Sequence, residues 1–199
     1  MSIANRTAAS AALAAWLALA VHSGAAHAQA PGGAYAGQQT RAIKALSEQD
    51  VAGLLEGQGA GFAKAAELNG YPGPAHTLEL KGPLGLRPDQ VTASEALMVS
   101  HKARARALGA TLVDAEHRLD ALFAGRAASA ASIENATREI GLLQARLRAE
   151  HLATHLTQTA LLDVHQVQRY SVLRGYADAK AAESAPGTAV PAPTHRQHH

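Results

Sequence analysis

The 199-residue chain contains no cysteine. That excludes disulfides, thiolate metal sites and cysteine nucleophiles, and it leaves stability to packing alone. Aromatic residues make up only 4% of the chain against 47% for the hydrophobic class as a whole, and Ala and Leu supply the difference. That composition favours helices and thin helix–helix packing over a thick sheet core. Methionine occurs twice, as Met1 and Met98, so a Met-rich site for soft metals is absent. There is also no large excess of one charge: 18 Lys and Arg stand against 16 Asp and Glu. The balance carries no electrostatic footprint for nucleic acid.

Long apolar runs are missing too, except near the start. Arg6 precedes the apolar run Ala11 to Val21, and Ala26-His27-Ala28 has the small-x-small form of a cleavage site. These features predict a signal peptide over residues 1–28, with Gln29 as the first mature residue and Ala28-Gln29-Ala30 as a second possible cut. The run is short for a membrane anchor, and no later stretch is apolar enough to span a bilayer. The expected destination is a bacterial periplasm. Cleavage would remove one basic residue and no acid, leaving 17 against 16 and a net charge of +1. The remaining length suits one domain.

What is present is helical patterning. Residues 29–40 are small, Gly-rich and polar, and are expected to be flexible. Ser47-Glu48-Gln49-Asp50 signals a helix start, with Ser47 as cap and the acids complementing the helix dipole. The first helix is read as continuing to Asn69-Gly70, with Gly53, Gly57, Gly59 and Gly61 marking close packing or a bend. After the rigid turn Tyr71-Pro72-Gly73-Pro74, residues 76–80 suit one or two helical turns. A long helix is predicted from Arg87-Pro88 to about Phe123, because Pro suits the first helical position. Its seam steps by three and four through Val91, Ser94, Met98, His101, Ala105, Leu108, Leu112, Ala115, Leu119 and Leu122. Ala124-Gly125-Arg126 breaks it.

A third helix follows from a cap at Ser129 or Ser132 to about Leu161. Ile133, Ala136, Ile140, Leu143 and Leu147 form its seam, and Leu152, Leu156 and Leu161 continue an apolar surface that drifts round the helix. The short break makes the two long helices antiparallel neighbours. Asp163 can cap a last helix that ends at Gly175. The Ala-, Pro- and His-containing residues 177–199 are expected to be disordered. The domain is therefore read as all-α over 41–176: a long antiparallel helical hairpin with shorter flanking helices.

Two segments echo each other at helix starts. Leu86-Arg87-Pro88-Asp89-Gln90-Val91 and Leu162-Asp163-Val164-His165-Gln166-Val167 both read Leu-x-x-x-Gln-Val. With export and the hairpin, Leu86, Gln90, Leu162 and Gln166 make the chain resemble the Spy/CpxP family, whose motif is Leu-Thr-x-x-Gln. Arg87 and Asp163 replace the Thr; Asp163 can still cap a helix and Arg87 cannot. The resemblance extends over about residues 42–176. It implies a periplasmic, ATP-independent chaperone or envelope-stress protein, not an enzyme, that forms an antiparallel homodimer. Its partners would be unfolded or envelope protein clients, or a membrane sensor. Clients would be held by mixed basic and apolar contacts, with Lys102, Arg104, Arg106, Arg146 and Arg148 as candidates. The alternative is a periplasmic heavy-metal sensor or resistance protein.

Candidate chemistry is sparse. His151 and His155 stand four apart, so both imidazoles project from one helix face, the spacing of a metal pair. A usable site for Zn, Ni, Co or Cu needs a third ligand, and the hairpin turn puts His101 roughly opposite. The competing expectation is a set of structural histidines lining a polar notch between the helices. The mixed-charge surface likewise has a bland reading, as a solvated helix face with weak ion pairs. No nucleophile elbow or His-Glu-x-x-His motif occurs. The tail residues His195, His198 and His199 offer at most a loose metal contact, since ordering the tail costs entropy.

Overall fold

The computed structural model describes residues 33–178. The expectations for the signal peptide, the first residues of the mature chain and the tail beyond 178 lie outside that range. All the helices belong to one unit that begins at Gly37, and it is this unit that is described below.

Six helices and no strands occur among the described residues: α1 (Glu48–Leu55), α2 (Lys64–Glu67), α3 (Pro74–Glu79), α4 (Pro88–Ala124), α5 (Ala130–Ala160) and α6 (Val164–Leu173). The fold is the expected all-α hairpin with shorter flanking helices. Helix α4 has 37 residues, a length of about 55 Å. It begins with Pro88 at the first helical position and ends at Gly125; Arg126, at φ 54, then turns the chain. Ser129 caps α5 by accepting from the Ser132 amide, and Asp163 caps α6 by accepting from the Gln166 amide.

The α4/α5 seam changes character along its length. Near the turn it is apolar: Ala105, Leu112, Ala115, Ile140, Leu143 and Leu147 form the buried core, with Leu54, Phe62, Leu108 and Leu119 packed against it. Each fully buried Leu or Ile there contributes about 1.5–3 kcal/mol. Toward the open end the buried positions become Gln90, Ser94 and His101 on α4, facing Thr154 and Gln158 on α5. His151, Thr154 and Gln158 carry the buried line of α5 there, while Leu152 and Leu161 are half-buried and Leu156 is 58% exposed. Hydrogen bonding to the polar residues of α4 sets which α5 face turns inward there.

The glycines break the first predicted helix into α1 and α2. Gly57 and Gly61 both have positive φ, 64° and 78°, where a side chain is strained. They also permit close packing. A Cβ on Gly109 of α4 would lie 2.1 Å from the Leu54 carbonyl oxygen, so α1 rests directly on the α4 backbone. The Lys102 ammonium donates to the Glu56 and Gly57 carbonyls, 3.2 Å each, which satisfies the end of α1 with a cation of the favoured sign. At the other end of the hairpin, Asp120 accepts from both the amide and the ammonium of Lys44, 3.0 Å each, pinning the N-terminal segment beside the buried Ile43.

Candidate functional site

The two sequence echoes meet. The Gln90 side-chain amide donates to Gln166 Oε1 at 2.8 Å, and Gln166 donates back to Gln90 Oε1 at 3.0 Å. Each glutamine also reaches back to its own helix start: the Arg87 amide donates to Gln90 Oε1, and the Asp163 amide to Gln166 Oε1, both at 3.0 Å. The remaining donors cross to the residue preceding the other motif, Gln90 to the Leu161 carbonyl at 2.8 Å and Gln166 to the Gly85 carbonyl at 3.4 Å. Each carboxamide therefore uses both its donors and both its acceptor positions. The pattern has a local two-fold relation, and it accounts for the Gln at the third helical position of both copies. Leu86 and Leu162 are half-buried beside it. Arg87 has no acceptor, so its half of a capping box is missing; its guanidinium pairs with Asp89 instead.

Further along, Gln158 donates to Ser94 at 3.0 Å. Next comes a histidine notch. His101 and His151 meet edge to face, with ring centroids 4.6 Å apart, as the hairpin geometry predicts. His101 Nδ1 lies 3.2 Å from Glu150 Oε1 and 3.0 Å from Thr154 Oγ1. A carboxylate only accepts, so Nδ1 carries the proton and Nε2 holds the lone pair. Burial would raise the Glu150 carboxyl, but hydrogen bonds from Arg104 and His101 outweigh it and hold the group below its ordinary value. Burial lowers His101, and the adjacent Glu150 offsets part of that. His151 is 4% exposed, and burial, reinforced by the neighbouring His101, lowers its pKa to about 4. Its ring stacks on Phe62 at 5.7 Å, and its buried Nε2 has no hydrogen-bond partner.

His155 faces elsewhere. Its Nδ1 is 2.7 Å from the Tyr71 carbonyl oxygen, so it donates there, and its ring packs so tightly on Gly73 that a Cβ at that position would lie 2.7 Å away. The anticipated metal ligands thus divide: His101 and His151 come together, and His155 is held by the segment before α3. Among the described residues, no group of three or more His, Asp or Glu side chains is placed to hold a metal ion.

Glu67 was not singled out from the sequence, yet it ties together five elements. It accepts from the Tyr170 hydroxyl at 2.6 Å and the Tyr176 hydroxyl at 3.2 Å, and it lies within 3.7 Å of His76, His155 and Arg174. Burial, with the bond to Glu67, raises Tyr170 well above the ordinary phenol range. No local signal identifies Glu67, because its partners are distant in sequence and its own helix has four residues.

Between the Gly57–Gly61 loop, α2, the start of α3 and the α4/α5 notch lies a cavity of about 450 Å³. His101, His151, Thr154 and His155 form one side of it, and Met98, Leu68 and Pro74 contribute apolar surface. That size is within the range of small-molecule sites.

The candidate basic residues separate into two groups. Lys102 is used by the end of α1, Arg104 by Glu150, and Arg106 reaches the Glu56 carbonyl at 3.4 Å. Arg146 and Arg148 are exposed on α5 and make no ion pair with a described residue. At about 100° per residue, Leu142, Arg146, Ala149, Ala153 and Leu156 fall on one stripe of α5, roughly 130° round the helix from the centre of the Ile140, Leu143 and Leu147 face. All five are exposed, Leu142 at 55%. On α4, Val99 is 72% exposed. Among the described residues no helix is long and apolar enough to cross a membrane. No family model, no curated protein and no solved structure gives a significant match to the chain.

Proposed function

We propose that the protein is a non-catalytic, exported helical chaperone or envelope-stress protein of Spy/CpxP type, binding unfolded clients on the outer surface of its hairpin. The observation that carries the reading is the exposed stripe Leu142, Arg146, Ala149, Ala153 and Leu156. A side chain such as Leu gains about 1.5–3 kcal/mol on full burial, so two exposed leucines beside an arginine offer weak, shape-tolerant contacts to apolar and acidic chain segments. Arg146 and Arg148 remain the basic candidates, because Lys102, Arg104 and Arg106 serve contacts within the fold. A homodimer that sets two such stripes in one concave surface fits the same reading. The proposed periplasmic location rests on the signal-peptide pattern at 1–28.

The metal-sensor alternative has two neighbouring imidazoles in its favour, His101 and His151, and lacks a third ligand among the described residues. Client binding is therefore the stronger reading. Light scattering from a thermally aggregating client tests it: stoichiometric protein is expected to suppress aggregation without nucleotide. No suppression at equimolar or higher protein would reject the chaperone assignment.

A further inference from the structure

The turn end of the hairpin differs from the rest of the surface. From Ala121 to Ile133 there is no acid, and Arg126 is the single charged residue. Phe123, in the last turn of α4, is 57% exposed, and Ala121, Ala124, Ala127, Ala130 and Ala131 are exposed in the same stretch. The charges that border it are engaged: Asp120 with Lys44, Glu134 with Arg138 and Glu139 with Arg118. Arg126 is exposed and makes no ion pair with a described residue. The backbone is satisfied largely from within the turn. The Gly125 amide donates to the Ala121 carbonyl at 2.9 Å, the Arg126 amide to Phe123 at 3.1 Å and the Ala127 amide to Leu122 at 2.9 Å. The Ser129 and Ser132 amides each donate to the other's hydroxyl, at 2.9 and 3.2 Å.

We infer that this turn is a contact for an anionic phospholipid bilayer, with Phe123 seated in the interface and Arg126 on lipid phosphate. A backbone that answers its own hydrogen bonds is what the water-poor part of a bilayer requires. The amides that open α5 are left to water or a phosphate oxygen at headgroup depth. An unpaired Arg in an acid-free stretch complements the negative surface of such a membrane. A protein partner grips anchor residues in shaped pockets, and a tip made mostly of Ala and Gly gives it little relief to hold. One aromatic and one cation hold a bilayer reversibly, since a stable anchor takes two strong signals. Leu156 lies about 40 Å along α5 from the turn, so a seated tip leaves that end of the outer stripe free.

The unit that holds all the helices begins at Gly37, so protein starting at Gln29 keeps the fold and leaves out the apolar run Ala11 to Val21. With no cysteine in the chain, Ala124→Cys gives one attachment point for an environment-sensitive fluorophore at the tip. Thr92→Cys, exposed near the other end of α4, is the control. Vesicles of equal phosphatidylglycerol and phosphatidylcholine should shift the label at 124 to the blue and leave the label at 92 unchanged. In vesicle sedimentation of the unlabelled protein, Phe123→Ser should weaken binding about five- to tenfold, the value of burying its exposed part. Arg126→Gln should weaken binding to the anionic vesicles about fivefold and leave that to pure phosphatidylcholine unchanged. Both side chains are exposed, so both variants should keep the parent's circular dichroism. No shift at 124 up to millimolar lipid, an equal shift at 92, undiminished binding of Phe123→Ser, or equal weakening of Arg126→Gln on both vesicle types would each overturn the inference. So would a label at 124 that ignores lipid and responds to unlabelled protein, which would make the turn a contact between copies of the chain.

Discussion

Replacing Gln90 by Met keeps an unbranched side chain of similar length and removes four hydrogen bonds: to the Arg87 amide, to the Leu161 carbonyl, and the two shared with Gln166. Both glutamines are buried, so the Gln166 carboxamide is left short of one donor and one acceptor. A buried orphan costs about 1–3 kcal/mol, and a lost bond at a partly exposed group about 1 kcal/mol. The single change should therefore cost about 3–5 kcal/mol, a large share of a typical domain's total stability. Gln166→Met should cost a similar amount, for the mirror-image reason. In the double variant neither carboxamide remains to be stranded. Its cost should fall short of the sum of the singles by the two stranded-carboxamide penalties, at least about 2 kcal/mol. Urea unfolding followed by helical circular dichroism reads all four corners of the cycle, with unchanged m-values as the check that the unfolded state is comparable. Additivity within about 0.5 kcal/mol would refute the paired-amide account of the two motifs.

Further outcomes follow from the same geometry. Gly109→Ala forces a methyl onto the Leu54 carbonyl and should cost at least about 1–3 kcal/mol, with hydrogen-exchange protection in α1 falling before that of the hairpin core; unchanged α1 protection would contradict the contact. His151 is lowered to a pKa of about 4 from an unfolded value near 6.5. Between those values the unfolded chain binds more protons, so stability is full above pH 6.5 and declines as pH falls toward 4, by up to about 3 kcal/mol from this residue. His101 acts in the same direction. Urea midpoints at pH 7.5 and 4.5 should therefore differ more for the parent than for His151→Phe, and equal differences would refute the role given to His151. Glu67→Gln should loosen the docking of α6 and the following turn, seen as faster proteolysis after Arg174; unaltered cleavage would deny its role as a tie.

Much of the hairpin was legible because its signals are local. Pro88 at a helix start, Asp163 and Ser129 as caps, the Ala124-Gly125-Arg126 break and the three–four seam of α4 each depend on neighbours within a turn or two. The place of His101 opposite His151 followed from counting residues back from the break. The glycine positions were legible but not their outcome, since a run of glycines in a helical pattern fits a close packing contact as well as a break. Here Gly57 and Gly61 break the helix and Gly109 makes the contact. What periodicity could not supply is pairing across the fold. Gln90 and Gln166 are 76 residues apart, and each looks locally like a simple helix-start residue. The rotation of α5 that exposes Leu156 depends on Ser94, His101 and their partners on the facing helix, information absent from the α5 sequence alone.

The central claim is that the outer stripe of α5 holds unfolded chains. A photo-crosslinking amino acid at position 142 or 156 tests it most directly, with position 144, also exposed but off the stripe, as the control. Irradiation with a destabilised client should yield crosslinks at 142 and 156 that fade when the client is folded, and few at 144. Equal crosslinking at all three positions, or none at 142 and 156 while aggregation is still suppressed, would contradict the assignment of that face.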